Sequence, residues 1–359
     1  MDGFFWHIRT FILIPCFVFL LGWQNVAGQT KSLFNSDAVL PLILRGELKN
    51  AFRDREDNSA YYHASISYLE GSDSLLVPVK IKTRGHFRKQ SSNCDYPPLL
   101  LNFSDSNGLN NTLFQDQDKL KLVTPCQDDA NVIHEYLVYR LYNLITPKSF
   151  KARLVRMTYH DSIRNKISDG YYGILLEDEK EMAKRNNSKT IKIKKLPKLG
   201  IPQEDYLKMA VFQYLIGNTD WSVEYLQNIK LITEDTKSLP IAVPYDFDHA
   251  GIVRAPYARP APQLRLKSTL ERRYRGYCLQ DMQKFEPIFE IFQSLKSDIY
   301  HLYVDNPLLS EKYIKETVSF FDDFFETIND GLKAKEAFTY PCDPSGTGNV
   351  VIRGMQNKE

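Results

Sequence analysis

After residue 28 the 359-residue chain has no apolar run of membrane-spanning length. A spanning helix needs roughly 20 such residues. The one extended apolar run, Phe11 to Leu21, is shorter than that and follows His7 and Arg9. Val26, Ala27 and Gly28 place small residues behind it, so residues 1–28 are expected to be a secretory signal. The expectation is an exported protein (periplasmic, extracellular or cell-surface) with no stable membrane span after signal removal. An excess of one charge is also absent: 46 Lys+Arg stand against 44 Asp+Glu. A nucleic-acid partner, which would call for a basic face, is therefore not expected. Cysteine is scarce. Beyond Cys16 there are Cys94, Cys126, Cys278 and Cys342, with none of the CxxC or Cys/His spacings that suit zinc. An even number in an exported chain permits two disulfides. Cys94 and Cys126 each sit at one end of a predicted strand and are the favoured pair. Glycine-rich GxGxxG and Walker loops are missing, as is the Gly-x-Ser-x-Gly setting of an acyl hydrolase.

Aromatic residues are plentiful, with 21 Tyr and 21 Phe, enough for a sizeable core. The first half reads as sheet: Ala64–Leu69, Leu76–Lys82, Leu99–Phe103, Leu120–Val123, Arg153–Tyr159 and Tyr171–Leu176. A helix over 131–145 interrupts these runs, started by Asp128-Asp129 and stopped by Pro147. The second half reads as mainly helical. An amphipathic helix spans Glu204–Ile216 and ends at Gly217-Asn218. A hairpin pairs Ile229–Ile232 with Ile241–Val243, and two long helices cover about 285–303 and 309–332. These elements suggest a sheet-rich lobe over 33–180, a helical lobe over 181–340 and a flexible tail over 341–359.

The informative order begins at residue 204: helix, polar loop, hairpin, acidic turn. The loop is Gly217-Asn-Thr-Asp220-Trp221, Asn228 opens the hairpin, and the turn reads Pro244-Tyr-Asp246-Phe-Asp248-His-Ala-Gly251. Kinases use this order for phosphoryl transfer: an Asp positions the acceptor hydroxyl, and a downstream Asn and a second Asp bind metal. Phosphates need hard cations, and carboxylate and amide oxygens are the ligands such cations prefer. Upstream, Lys121 lies on a strand followed by a helix bearing Glu135, the order in which kinases pair a phosphate-binding Lys with a Glu. Lys119 shares the strand face and competes for that role. Arg84, after a strand and before Gly85, is placed for a phosphate contact.

Together these segments resemble the CotH-like (spore-coat protein H) family of atypical secreted protein kinases. The resemblance rests on Lys82-Thr-Arg84-Gly85-His-Phe-Arg88, on Lys119-Leu-Lys121 through Asp129, and on Tyr172-Gly-Ile-Leu-Leu-Glu177. It rests most specifically on the Asp220 loop and the Asp246-Phe-Asp248 turn. It implies an α+β, two-lobed protein-kinase-like fold. The implied activity is transfer of the ATP γ-phosphoryl group, with Mg²⁺ or Mn²⁺, to a Ser, Thr or similar hydroxyl of a protein substrate. Carried over by position, Asp220 is the catalytic Asp, and Asn228 and Asp246 hold metal, with Asp248 assisting or replacing Asp246. Lys121, Glu135, Arg84, Lys119 and Glu177 would bind the nucleotide. Two alternatives stand beside this reading: an Asp-x-Asp nucleotide-sugar glycosyltransferase, and a non-catalytic surface or assembly protein on a degenerate kinase scaffold.

Overall fold

Seven strands close on themselves. In the computed structural model, which describes residues 1–3, 32–104, 109–193, 195–196, 200–276 and 279–339, the larger sheet contains β1 (Leu40–Gly46), β2 (Tyr62–Glu70), β3 (Asp73–Thr83), β4 (Leu99–Asn102), β5 (Lys119–Val123), β6 (Ala152–Asp161) and β8 (Tyr171–Leu176). They pair in the order β1-β2-β3-β4-β5-β8-β6, and β6 then pairs back onto β1. The short β7 (Lys166–Ile167) extends the edge of β6. Every pairing in the ring is antiparallel except β1–β6, which is parallel from Leu40↔Val155 to Gly46↔Asp161. Each antiparallel pairing reverses strand direction, so an odd-membered ring cannot alternate all the way round. The parallel pair is the place where the alternation fails.

This corrects the expected two-lobed kinase-like fold. The sheet-rich part is a closed mixed barrel, not a kinase lobe, because β1 supplies a strand that closes it. Closure leaves no long open edge. Strand alternation fills the interior: Leu42 and Leu44 of β1 meet Ile66, Val77, Ile81, Leu101, Leu120, Leu122, Val155, Met157 and Leu175, all buried. A helix of one and a half turns, α1 (Leu48–Arg53), buries Leu48 and Ala51 against this core.

A second core lies outside the barrel. On β5, β6 and β8 the outward residues Val123, Leu154, Ile174 and Leu176 are buried as well, against α2 (Ala130–Ile145) and the C-terminal elements. These elements are α3 (Glu179–Arg185), β9 (Lys189–Ile191), α4 (Gln203–Leu215), β10 (Ile229–Thr233), β11 (Ile241–Pro244), α5 (Glu286–Ser294), α6 (Lys296–Val304), α7 (Glu311–Asn329) and α8 (Gly331–Thr339). Strands β9, β10 and β11 form a separate three-stranded sheet. The described residues between Ser32 and Thr339 form one compact unit, and among the described residues no helix is long and apolar enough to cross a membrane. The expected signal at 1–28, the tail at 341–359, Cys278 and Cys342 lie outside the described residues, apart from residues 1–3.

Candidate functional site

The site is assembled where the acidic loops meet the outer side of the barrel. Helix α4 ends at Ile216, and Gly217 takes the left-handed φ of +66° that turns the chain away. The 244–251 turn is tied to the same helix end, since Gly251 N–H donates to Gly217 O at 3.2 Å and Ile252 N–H to Ile216 O at 3.1 Å. Gly251 is required there: a Cβ would fall 2.2 Å from Thr269 O. Asp220 N–H donates to Asn218 Oδ1 at 2.9 Å. The half-buried Arg275 guanidinium donates to the carbonyls of Thr219 and Trp221 and fixes the loop from within.

Asp220 and Asn228 are eight residues apart, yet they meet. Ser222 and Gln227 form an isolated antiparallel bridge that folds the intervening residues out as a small loop. The Asn228 amide then donates to Asp220 Oδ2 at 2.9 Å and to Asp220 O at 2.8 Å. The β10–β11 ladder starts at Ile229↔Pro244, and Tyr245 N–H donates to Asn228 O at 3.0 Å. Asn228 and Asp246 therefore flank one end of the same hairpin. Both hold left-handed backbone, φ +51° and +63°. Asn and Asp tolerate that region and β-branched residues do not.

Two electrostatic environments adjoin at this edge. In the first, Arg88 is buried and sits between two carboxylates, 3.0 Å from Glu135 Oε2 and 3.1 Å from Asp248 Oδ2. Tyr257 completes it: its hydroxyl accepts from Arg88 at 2.8 Å and donates to Asp248 Oδ2 at 3.1 Å. Burial works against the Arg88 charge, but Glu135 and Asp248 outweigh it and hold the guanidinium protonated. The Glu135 side chain is fully buried and its Oε1 has no partner among the described residues. Burial pushes its carboxyl up, against the pull of Arg88.

In the second environment Asp246 and Lys121 have no ion-pair partner among the described residues. The backbone N–H of Asp246 donates to Tyr139 Oη at 2.9 Å, while its carboxylate has no hydrogen-bond or ion-pair partner among the described residues. Burial, and then the neighbouring Asp248, raise its pKa above the ordinary carboxylate range, while Arg88 and Arg84 pull it down. Lys121 lies 4.8 Å from the centre of the Tyr245 ring, with Lys230 5.5 Å from it and bonded to Glu179 at 2.6 Å. Burial, and then the nearby Arg84 and Lys230, lower the Lys121 pKa to about 8.

Of the residues singled out in the sequence, the structure brings together Arg84, Lys121, Glu135, Asp220, Asn228, Asp246 and Asp248. Two fall elsewhere. Lys119 shares the Lys121 face of β5 but sits at the strand's far end, exposed and 3.8 Å from Asp118. Glu177 turns away to pair with Arg185 at 2.9 Å and to accept from Lys151 N–H at 2.8 Å. Glu135 takes Arg88 as its partner in place of Lys121. Arg88 was within the quoted Arg-Gly element, three residues beyond Gly85, and an Arg following such a turn was the available signal. Tyr245 is the aromatic residue of the Pro244–Asp248 turn, whereas Tyr257 and Lys230 carried no signal. The favoured Cys94–Cys126 disulfide is present and ties the loop bearing Arg84 and Arg88 to the segment entering α2. Among the described residues no group of three His, Cys, Asp or Glu side chains is assembled around a metal position. The uncommitted oxygens are instead one carboxylate, Asp246, and the amide oxygen of Asn228, beside Asp220. These are hard donors of the kind Mg²⁺ or Mn²⁺ takes together with phosphate and water. Asp248 is committed through Oδ2 to Arg88 and Tyr257. No protein-family model matches this chain, and no curated protein matches it.

Proposed function

We propose that this edge carries out metal-dependent phosphoryl transfer from a nucleoside triphosphate to a hydroxyl group, with ATP as donor and a protein Ser or Thr as acceptor. The reading does not depend on a kinase fold, which the closed barrel excludes. The observation that carries it is the Asp246 carboxylate. It is partly buried, raised in pKa and held in left-handed backbone beside Asn228, and among the described residues neither it nor the nearby cations Arg84 and Lys121 have an ion-pair partner. Arranged this way, carboxylates without a counter-ion repel one another, and cations without an anion do the same. A metal-bound polyphosphate relieves both.

Asp246 and the Asn228 amide oxygen would hold Mg²⁺ or Mn²⁺, which supplies charge neutralisation on the transferring phosphate. Lys121 and Arg84 then donate to phosphate oxygens, and the Lys121 ammonium is kept in place by the Tyr245 ring. Asp220 is anchored by Asn228 through Oδ2, which leaves Oδ1 to accept the proton of an acceptor hydroxyl and orient it. Arg88 holds Glu135 and Asp248 beneath the edge and fixes the turn that presents Asp246.

Thermal-shift titration with ATP or a UDP-sugar, each with Mg²⁺ or Mn²⁺, beside a γ-labelled transfer assay, tests the reading. Wild type is expected to be stabilised by metal–ATP and to transfer label. Asp220→Ala is expected to keep the stabilisation and to lose transfer by about 10²-fold or more. A UDP-sugar response without an ATP response would replace the reading with glycosyl transfer. Silence towards every nucleotide and metal would leave a binding scaffold.

A further inference from the structure

A different cavity lies at one mouth of the barrel, bounded by α1, the β6–β7 turn and the Ser91–Tyr96 loop, with a volume of about 490 Å³. That size falls in the roughly 300–1,000 Å³ range of small-molecule sites, and barrel mouths are a common place for them. Its wall is aromatic. Phe52 meets Tyr159 edge-on at 5.3 Å and Tyr96 at 5.8 Å, and Tyr96 stacks on Tyr159 at 5.2 Å. The buried Tyr159 hydroxyl has no partner among the described residues.

The rim is cationic. Lys49, Arg53, Arg164 and Lys166 line the cavity, and none forms an ion pair among the described residues. Of the two carboxylates there, Asp161 is already engaged, accepting the backbone N–H of Lys49 at 2.7 Å and of Arg164 at 2.9 Å. The other is Asp95, and Arg55 beside it donates to the carbonyls of Phe52, Lys89, Cys94 and Asp95. Crowding by Arg164, and then Arg53, holds the Lys49 ammonium below its usual range. The rim carries more cations than carboxylates, and a net positive rim over an aromatic wall favours an anion that brings its own apolar surface.

We propose that this cavity binds a small anion carrying a planar ring, in the aromatic pocket with its charge among Lys49, Arg53, Arg164 and Lys166. The site is separate from the Asp246 edge and independent of the function proposed for that edge. The probe is naphthalene-2-sulfonate, titrated calorimetrically into the full chain at low ionic strength and neutral pH. The expected result is one saturable site, with 2-naphthol bound at least about tenfold more weakly because it lacks the charge. Arg164→Gln and Lys166→Gln, both at exposed positions and therefore safe for folding, are each expected to weaken binding about three- to fivefold. Phe52→Leu is expected to weaken it by removing ring contact, and Asp246→Asn to leave it unchanged. Equal binding of 2-naphthol would overturn the proposal, as would full displacement by equimolar sulfate. So would indifference to the two rim substitutions, or sensitivity to Asp246→Asn.

Discussion

Arg88, on the loop after β3, and Lys121, on β5, face the same acidic edge, and they are treated in opposite ways. Arg88 is buried and answered by two carboxylates and a tyrosine. Lys121 is answered by an aromatic ring, while the cations nearest it push its charge away. A buried charge that is fully paired is a structural fixture, and removing one partner strands the other. Charge left without a partner in a partly buried place instead waits for a ligand. The contrast separates the residues that build the edge from those that would work on it.

The largest expected effect tests the paired side. Arg88→Ala strands Glu135 and Asp248 and should lower unfolding free energy by about 3–5 kcal/mol, read from urea midpoints. A loss below about 1 kcal/mol would place Arg88 with the working residues after all. Next comes Asp246→Ala, which should leave stability level or slightly higher while abolishing metal-dependent nucleotide stabilisation, because burial and Asp248 disfavour its charge more than Arg88 and Arg84 favour it. A large loss of stability in that variant would erase the distinction.

A third effect is a matter of sign. The Lys121 pKa falls from its ordinary 10.5 to about 8 in the folded state. Between those values the unfolded chain holds more protons, so wild type should gain stability relative to Lys121→Met as pH rises from 8 towards 10.5. An anion bound at Lys121 would restore the charge. Calorimetry above pH 8 in buffers of different ionisation heat should therefore detect proton uptake on nucleotide binding in wild type and not in Lys121→Met. The smallest effect belongs to Lys119→Met, expected to change stability by no more than about 0.5 kcal/mol and nucleotide binding not at all.

Local signals carried much of this into the sequence. Helices α2 and α4 and the β10–β11 hairpin lie where apolar spacing and turn residues put them, and the hairpin brings Asn228 and Asp246 to one end. The barrel was not legible, because the strand that closes it, Leu40–Gly46, pairs with β6 more than a hundred residues away, and a local pattern does not report so distant a partner. Pro41 is tolerated because β1 begins pairing with β2 only at Ile43, so the missing N–H is not needed on that side. Periodicity also continues through helix breaks. The expected 285–303 helix is divided at Leu295 into α5 and α6, whereas the expected 309–332 helix is α7, with the further helix α8 following after Asp330. Lys119 and Glu177 show the limit of pattern reading at the site. A residue type at the right spacing does not report which end of a strand it occupies or which neighbour claims it.

The single parallel seam between β1 and β6 also sets a timetable for synthesis. The strand that emerges first has one edge covered early by β2, but its other edge waits more than a hundred residues for a partner. Until then β1 to β5 can form only an open sheet with two bare borders, a state prone to pairing with other chains. Strands β6 and β8 pair with each other and enter side by side between β5 and β1, so one hairpin covers both borders at once. Such distant pairing is slow. A nascent chain halted before Ala152 would be exposed to aggregation, and one carried past Leu176 would have the strands to shut the barrel.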